Sequence, residues 1–388
     1  MFKIQTVNKI SAKGLDVFPL DQYEIASEFS QPDAILVRSA ALHDIKLPLT
    51  LRAIARAGAG TNNIPVGRCT QKGIVVFNTP GANANGVKEM VIAGMLLSSR
   101  KIFEGILWAR SLAGKGEEIP TLVEAEKSRF AGPELQGKTL GIIGLGSVGV
   151  LVANVAASLG MRVIGYDPFI SVESAWHLSR EVERAQGLES LLGQCDYLTV
   201  HMPLTDKTRG LLNAERFSFM KKGLRLMNFA RGGLVNNVDL IKALRSGQLA
   251  CYVTDFPEDN LLKEENVIAV PHLGASTPES EENCAVMAAQ QLKTFLETGN
   301  IRYSVNFPDC VMERNSRKRI IIANQNIPNM VGQITTVLAA ENINIADLLN
   351  RHLDDLAYNI IDIDSEISSK TLEKLRAIDG VLMVREIA

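Results

Sequence analysis

The sequence predicts an α/β protein with two doubly wound parallel-sheet domains and a small third domain of βαββαβ order. Three observations support this prediction. Short apolar runs such as 34–37 and 75–77 alternate with helical segments, a second alternating series begins at Thr139, and residues 320–387 follow a different order. A chain of 388 residues is long enough for two or three domains of about 150 residues each.

The first two sheets are predicted from repeated short hydrophobic strands that are separated by helices. In the second series we expect strands at 140–143, 162–166, 197–200, 225–228 and 267–270. Strands of this kind are typical of parallel sheets that helices cover on both faces. Between the two series, residues 87–99 are strongly apolar and predict a helix, whereas residues 113–132 are polar, contain Gly and Pro, and predict a connection.

The C-terminal part predicts a ferredoxin-like βαββαβ domain. The expected elements are strands at 320–322, 345–351, 359–363 and 381–387, with helices at 331–341 and 371–377. A polar segment with Pro308, residues 304–318, precedes them and is predicted to be a linker.

Composition excludes several classes of protein. A hydrophobic share of 46% excludes a disordered chain, and a formal net charge of −2 leaves no electrostatic footprint for nucleic acid. The five cysteines are scattered and form no CxxC pair, so we expect reduced thiols and no metal. No apolar run reaches the roughly 18 residues that span a bilayer, and the N-terminus reads as a strand. The prediction is a cytoplasmic protein that binds neither membranes nor nucleic acid.

The strongest motif is Gly144-Leu145-Gly146-Ser147-Val148-Gly149, which directly follows a predicted strand and opens a predicted helix. In this context the glycines allow a tight turn, close approach of a pyrophosphate, and packing of helix on strand. Asp167 ends the next strand, where a carboxylate binds ribose hydroxyls, and no arginine closely follows it. The motif therefore predicts an NAD site rather than an NADP site; the alternative is a purely structural turn.

Three further side chains follow predicted strands and indicate chemistry. His201 could line the cofactor site, His272 could exchange a proton with a substrate hydroxyl, and Arg231 could bind a carboxylate through two parallel hydrogen bonds. Taken singly, each could be an ordinary structural residue at a strand end. Together they predict hydride transfer at a 2-hydroxy acid.

The chain resembles the D-isomer-specific 2-hydroxyacid dehydrogenases, and among them the members that act on D-3-phosphoglycerate. The matching segments are the glycine motif, Arg56-Ala57-Gly58-Ala59-Gly60-Thr61-Asn62-Asn63-Ile64, Asn78-Thr79-Pro80, Asn228-Phe229-Ala230-Arg231-Gly232 and Pro271-His272-Leu273-Gly274-Ala275-Ser276-Thr277. The C-terminal residues resemble an ACT regulatory domain. The resemblance implies a substrate domain at 1–95 and 277–303, a Rossmann NAD domain at 96–276, the linker at 304–318 and the ACT domain at 319–388.

The resemblance also implies roles for individual residues. His272 is the implied acid/base and Arg231 the implied carboxylate ligand, with a carboxylate supporting the histidine. The family's pattern Asp-Val-Phe-x-x-Glu-Pro is matched imperfectly by residues 254–260. Glu258 is preferred over Asp259 as that carboxylate, and Asp255 over Thr254 as the nicotinamide-amide partner. The implied substrate ligands are Arg38, Arg56, Ala59, Gly60, Asn83, Arg231 and His272. The implied NAD ligands are Gly144, Gly146, Ser147, Val148, Gly149, Asp167, His201, Met202, Pro203, Phe229, Ala230, Arg231, Asp255, His272 and Gly274.

The implied activity is NAD-dependent oxidation of D-3-phosphoglycerate to 3-phosphohydroxypyruvate, which begins L-serine biosynthesis. The implied effector of the ACT domain is L-serine, with Asn324, Asn326 and Asn344 as its ligands; the alternative is that these asparagines only shape turns. The family also implies a homo-oligomer, a tetramer in related proteins. The competing interpretations are a glyoxylate or hydroxypyruvate reductase and a nonenzymatic NAD-sensing protein of the same fold.

Overall fold

The computed structural model describes residues 1–314 and 318–387, which form two compact units. The discontinuous unit consists of residues 1–83 and 278–388, and the central unit consists of residues 84–277. Within the described residues, no helix combines the length and the apolar character needed to cross a membrane.

The first part of the discontinuous unit is a five-stranded parallel sheet in the order β2-β1-β3-β4-β5. Its strands and helices are β1 (Phe2–Val7), α1 (Ala12–Leu15), β2 (Tyr23–Ala26), β3 (Ala34–Val37), β4 (Ala53–Arg56), α2 (Val66–Gln71) and β5 (Val75–Phe77). β3 and β5 are buried over their whole length, as the apolar runs predict.

The central unit contains a seven-stranded parallel sheet in the order β12-β11-β10-β9-β6-β7-β8. Its elements are α3 (Ala84–Ser99), α4 (Ile102–Ser111), α5 (Ile119–Glu126), β6 (Thr139–Ile143), α6 (Ser147–Ser158), β7 (Arg162–Tyr166), α7 (Val172–His177), β8 (Glu183–Arg184), α8 (Leu188–Leu192), β9 (Tyr197–Val200), α9 (Ala214–Ser218), β10 (Leu224–Asn228), α10 (Asn237–Arg245), β11 (Leu249–Thr254) and β12 (Val267–Ala269). From β6 the chain builds β7 and β8 on one side and then crosses to β9 on the other. The reversal of direction lies between β6 and β9, which is where open sheets of this class bind ligands.

The chain then re-enters the discontinuous unit through a long helix and ends in a four-stranded antiparallel sheet in the order β14-β15-β13-β16. These elements are α11 (Pro278–Thr298), β13 (Lys318–Gln325), α12 (Met330–Ala340), β14 (Ile345–Leu353), β15 (Leu356–Ile363), α13 (Ser369–Arg376) and β16 (Val381–Ile387). The predicted fold class, including the βαββαβ order, is confirmed.

Both faces of β13 in the antiparallel sheet are buried, and its side chains alternate between two cores. Ile320 and Ile322 pack with Ile334 of α12, whereas Ile321 and Ala323 join a core that also contains side chains of the parallel sheet and of α11. The C-terminal sheet therefore shares one hydrophobic core with the N-terminal sheet.

Some elements differ from the sequence prediction. Residues 113–132, predicted to be a polar connection, contain two short 3₁₀ turns and α5 instead. Pro120 lies in the first turn of α5, where a missing N–H costs no hydrogen bond, so it does not break the helix. β2, β4, β8 and β11 were not predicted individually. Residues 315–317 of the predicted linker and Ala388 of the predicted ACT domain lie outside the described residues.

Candidate active site

The carboxyl ends of six neighbouring strands in the central unit carry the residues predicted to bind cofactor and substrate. These ends lie at one edge of the sheet because all its strands are parallel. The glycine motif follows β6, Asp167 follows β7, His201, Met202 and Pro203 follow β9, Phe229, Ala230 and Arg231 follow β10, Asp255 follows β11, and His272 and Gly274 follow β12.

Two positions of the glycine motif cannot carry a side chain. Gly144 has φ of +93°, and a Cβ there would lie 2.4 Å from the carbonyl oxygen of His201. A Cβ at Gly149 would lie 2.0 Å from the carbonyl oxygen of Gly144. A Cβ at Gly146 would meet nothing within 4 Å, so this glycine leaves open space at the start of α6, next to Ser147 and Val148. That combination fits a phosphate group held at a helix N-terminus.

Asp167 joins the loop after β6 to the loop after β7. One carboxylate oxygen accepts a 2.8 Å hydrogen bond from the N–H of Leu145, and the other accepts one of 2.8 Å from the N–H of Phe169. Acceptor capacity remains on both oxygens, since each has a second lone pair. The carboxylate is therefore held in place with acceptor capacity that fits hydroxyl donors such as those of a ribose.

His201 is a neutral imidazole. Its Nε2 lies 3.0 Å from Oγ1 of buried Thr199, and burial lowers the pKa of His201 to about 3. A neutral ring keeps one nitrogen as an acceptor, so His201 suits a hydrogen-bonding role in the cofactor site rather than proton transfer near neutral pH.

Asp255 is the most unusual carboxylate at this edge. It is 1% exposed, its Oδ2 accepts a 3.3 Å hydrogen bond from the N–H of Gly274, and its Oδ1 has no hydrogen-bond partner among the described residues. Burial raises its pKa, while the charges of His272 and Arg231 act in the opposite direction. An orphaned buried acceptor fits the carboxamide of a nicotinamide, which has N–H donors to offer. With the glycine cradle, it makes the residues present here compatible with NAD.

His272 and Arg231 are both exposed, and their surroundings hold them in different ways. The His272 ring contacts the Phe256 ring edge-on, with centroids 4.8 Å apart. The Arg231 side chain donates a 2.6 Å hydrogen bond to the carbonyl of Ala230. Both side chains lie close enough to Asp255 to affect its pKa, so the fold brings the three groups together.

A buried amide that sequence reasoning missed positions the Arg231 loop. Asn228 is fully buried; its Oδ1 accepts from the N–H groups of Ala230 and Arg231, and its Nδ2 donates to the carbonyl of Arg231. Thr254 Oγ1 donates to the Asn228 carbonyl and accepts from the N–H of Phe256. The signal available in the sequence was a polar residue at the end of a mainly hydrophobic strand.

The two candidate carboxylates for His272 differ in their contacts. Asp259 is exposed and forms an ion pair with Lys263 one turn later. Glu258 is also exposed, and its Oε1 lies 3.9 Å from where a Cβ on Gly232 would be. Within the described residues, neither carboxylate is hydrogen-bonded to His272. Of the two carboxylates, Asp259 is already paired with Lys263, whereas Glu258 lies beside the Arg231 loop.

The predicted substrate ligands of the discontinuous unit lie at neighbouring strand ends. β3 and β4 pair with Val37 opposite Arg56, and Arg56 Nε donates a 3.0 Å hydrogen bond to the carbonyl of Arg38. The Arg38 side chain forms an ion pair with Glu281 in the first turn of α11. The remaining residues are in the following loops: Ala59, whose carbonyl accepts from Asn78; Gly60, where a Cβ would lie 2.7 Å from Arg56; and half-buried Asn83.

The three predicted effector ligands have different environments. Asn324 is 1% exposed, its Nδ2 donates to the carbonyl of Gln325, and its Oδ1 accepts from Asn359. Asn326 donates to the carbonyl of Asp354, and Asn344 donates to the carboxylate of Asp364. Asn324 is therefore part of the internal bonding of the antiparallel sheet, whereas Asn326 and Asn344 are accessible.

Comparisons with known proteins agree with this geometry. Residues 92–274 match the NAD-binding domain of the D-isomer specific 2-hydroxyacid dehydrogenases. The D-3-phosphoglycerate dehydrogenase of Methanocaldococcus jannaschii is 34% identical over 339 residues, covering 85% of this chain and 62% of that protein. The human D-3-phosphoglycerate dehydrogenase is 38% identical over 296 residues, covering 74% of this chain and 53% of that protein. The chain thus spans somewhat more than half the length of these relatives.

A solved structure is also similar to this chain. The NAD⁺-bound 3-phosphoglycerate dehydrogenase of Entamoeba histolytica superposes with a TM-score of 0.61 at 28% identity, over 79% of this chain and 98% of that one. The glycine cradle, the orphaned Asp255 oxygen and the matched segment all describe one kind of cofactor site. Residues 92–274 thus match the NAD-binding domain of the D-isomer-specific 2-hydroxyacid dehydrogenase family, and the chain is similar to members of that family beyond this domain.

Proposed function

We propose that this protein is an NAD-dependent dehydrogenase that oxidises D-3-phosphoglycerate to 3-phosphohydroxypyruvate, the first step of phosphorylated L-serine biosynthesis. The observation that carries the proposal is the cluster of Asp255, His272 and Arg231 at neighbouring strand ends of an NAD-binding domain. The similarity to D-3-phosphoglycerate dehydrogenases supports the choice of substrate.

In the proposed reaction His272 accepts the proton of the substrate's C2 hydroxyl, acting as a general base. Arg231 binds the carboxylate with its guanidinium and so fixes the orientation of C2, which is mainly a positioning effect. Asp255 holds the nicotinamide carboxamide, and Asp167 binds the ribose hydroxyls. NAD, when bound, supplies the hydride acceptor.

We assign the carboxylate that favours the protonated form of His272 to Glu258 rather than Asp259. Asp259 forms its ion pair with Lys263, whereas Glu258 lies beside Gly232, next to Arg231. Its longer side chain also reaches further. Replacing Glu258 with Gln should shift the pH profile of kcat/KM for the oxidation to lower pH, because the imidazolium loses its partner and the neutral ring that accepts the proton forms at lower pH. Asp259→Asn should leave the profile unchanged.

The phosphate group is assigned to Arg38 and Arg56, with Ala59, Gly60 and Asn83 completing the substrate contacts. Two guanidinium groups at adjacent strand ends suit a dianionic phosphoester. Arg38 pairs with Glu281, so the substrate phosphate would compete with that carboxylate.

We further propose that the ACT-like sheet senses an amino acid and that the protein is a homo-oligomer. Asn326 and Asn344 are the accessible candidate ligands, and L-serine is the first effector to test. α4 supports the oligomer: no residue of α4 is buried, and Phe103, Ile106 and Leu107 are 56%, 47% and 50% exposed. An apolar patch of this kind is typical of an interface. The five free, buried cysteines support a cytoplasmic location.

The first experiment is a comparison of substrates. NADH formation is measured at alkaline pH with D-3-phosphoglycerate, D-glycerate and D-lactate, each with and without L-serine. The proposal expects activity with the phosphorylated acid alone and a serine-dependent rate. Equal activity with the unphosphorylated acids would overturn the phosphate assignment to Arg38 and Arg56.

Two variants test the roles assigned to residues inside the site, one for phosphate binding and one for proton transfer. Arg56→Gln should raise KM for D-3-phosphoglycerate at least tenfold through loss of a charge-assisted contact, with kcat changed less. His272→Ala should lower kcat by about two to four orders of magnitude with little change in NAD affinity. Near-normal turnover of His272→Ala would contradict its role as the base.

A further inference from the structure

The discontinuous unit contains a cavity of about 600 Å³ that lies apart from the strand ends described above. Its walls are the segment 49–52 before β4, the turn after α2 at 72–73, and residues 381–386 of β16. A volume of this size is typical of sites for small organic ligands. The cavity therefore lies between the parallel sheet and the C-terminal antiparallel sheet of one compact unit.

The side chains that line the cavity are strongly biased in charge. Arg52, Lys72, Arg376 and Arg385 are basic, and Glu386 is the single acidic group among the lining residues. Glu386 is itself paired with Lys318 at 3.2 Å. The walls thus present an excess of positive charge that a multivalent anion would balance.

Arg385 is the central observation. Its side chain is 7% exposed, and its terminal nitrogens donate to the carbonyls of Phe295 and Leu296 near the end of α11. Nε is buried without a hydrogen-bond partner, and within the described residues Arg385 forms no ion pair. A buried guanidinium with an unused donor and no counter-charge is costly unless something supplies both.

The nearest charges do not compensate Arg385. Burial, and after it the charge of Arg52, lowers the pKa of Arg385 to about 10. Asp33, the nearby carboxylate, lies 3.5 Å from the Arg52 guanidinium and is paired there. Lys72 and Arg376 are exposed and form no ion pair with any described residue.

The third wall adds backbone donors. Among the described strands, β16 pairs only with β13, so its other edge is open along the residues that line the cavity. Gly73 keeps this wall in place, because φ there is +69° and a Cβ would lie 2.6 Å from Met383 Cβ. Unpaired N–H groups of an edge strand are good ligands for oxyanions.

We propose that this cavity is a binding site for a small multivalent oxyanion, a phosphate ester or a polycarboxylate, held by Arg385, Lys72, Arg376 and Arg52. The site is separate from the proposed substrate arginines Arg38 and Arg56 and does not depend on the proposed reaction. It joins the C-terminal sheet to the sheet that carries those arginines.

Calorimetric titration of the full chain tests the proposal, with pyrophosphate and citrate as separate probes at constant ionic strength. We expect at least one probe to bind. Binding of pyrophosphate alone would indicate a phosphate ester, and binding of citrate alone would indicate a polycarboxylate. The double variant Lys72→Gln, Arg376→Gln should weaken that binding at least about tenfold, since two charge-assisted contacts are lost. Both residues are exposed, so the fold should tolerate the change.

Controls separate this site from the substrate site. The double variant Arg110→Gln, Lys222→Gln makes the same charge change at exposed positions of the central unit and should bind the probe like the parent protein. Arg56→Gln should also retain the probe. Hydrogen exchange should show slower exchange at 381–387 on binding. Three results would each overturn the proposal. They are an affinity of the Lys72, Arg376 variant equal to that of the parent protein, loss of all binding in Arg56→Gln, and no binding of either probe.

Discussion

At the scale of single residues, the buried carboxylate of Asp255 lowers the stability of the folded protein when no cofactor is bound. Its Oδ1 has no partner and burial raises its pKa, so the charged form is disfavoured in the folded protein. A carboxyl group whose pKa is raised on folding destabilises the fold above its unfolded pKa, and this penalty disappears as the pH falls through the unfolded value. The cofactor-free protein should therefore be more stable with a neutral group at this position.

Asp255→Asn is the corresponding prediction. In the absence of NAD, urea unfolding at pH 8 should show a gain on the order of 1 kcal/mol, because the amide has no charge to desolvate. The gain should shrink as the pH approaches 4, while NAD affinity falls. A loss of stability at pH 8 would show that the carboxylate is satisfied in the apo protein.

His201 predicts the opposite pH dependence. Its pKa is lowered to about 3 in the fold, against about 6.5 for an unperturbed histidine. Its contribution to stability is therefore complete above pH 6.5 and is lost as the pH falls toward 3, at no more than about 1.4 kcal/mol per pH unit. His201→Gln should flatten the pH dependence of the free energy of unfolding between pH 6.5 and 4.5, as measured by urea titration. His177, which is exposed, provides the control: His177→Gln should leave the curve unchanged.

At the scale of elements, two glycines of the turn between β6 and α6 have different roles: Gly149 in folding and Gly146 in binding. Gly149→Ala would bring a Cβ to 2.0 Å from the Gly144 carbonyl, so the turn must open and the unfolding temperature should drop markedly. Gly146→Ala meets open space, so it should leave the apo protein stable and weaken NAD binding. Thermal unfolding with and without NAD distinguishes the two. Equal destabilisation by both changes would contradict this division of roles.

The start of β13 provides a second prediction at this scale. Arg319 and Asp362 are both fully buried and form two hydrogen bonds to each other, and Arg319 also donates to the carbonyls of Thr298, Met312 and Glu313. The pair thus joins the end of α11 and the following segment to the antiparallel sheet. Asp362→Asn should cost about 3–5 kcal/mol in urea unfolding, because it leaves a buried charge uncompensated. Glu183→Gln, which breaks an exposed ion pair with Arg162, should cost far less.

Sequence patterns predicted the elements best where burial alone decides them. The strands at 34–37, 197–200 and 225–228 were visible because most of their residues are apolar and buried, and the glycine motif located α6. β8 was not visible, since it has two exposed charged residues, and α5 was hidden by Pro120. In the candidate site the strand-end residues were predictable, because a parallel sheet places them at one edge. The contacts of Glu258 and Arg385 depend on residues distant in sequence and could not be read from a pattern.

At the scale of the whole molecule, the C-terminal sheet is a structural part of the discontinuous unit. Ile321, Tyr358 and Ile360 pack in one core with Ile4 and Phe77 of the parallel sheet. A truncation after Arg314 would expose that core, so the remaining chain should lose stability rather than only regulation. Circular dichroism melting of the truncated protein should show a transition well below that of the full chain, whereas an unchanged transition would mean that the C-terminal sheet folds independently.

The interrupted path of the chain also constrains how the protein is made on the ribosome. Residues 84–277 are contiguous and can fold as soon as they emerge, but β1 to β5 need α11 and β13 to complete their core. At about 5–20 residues per second, the nascent N-terminal sheet waits roughly 12 to 50 seconds for those partners. During that interval its apolar face is open to chaperones and to other nascent chains. The earliest segment synthesised is therefore among the last to reach its native environment.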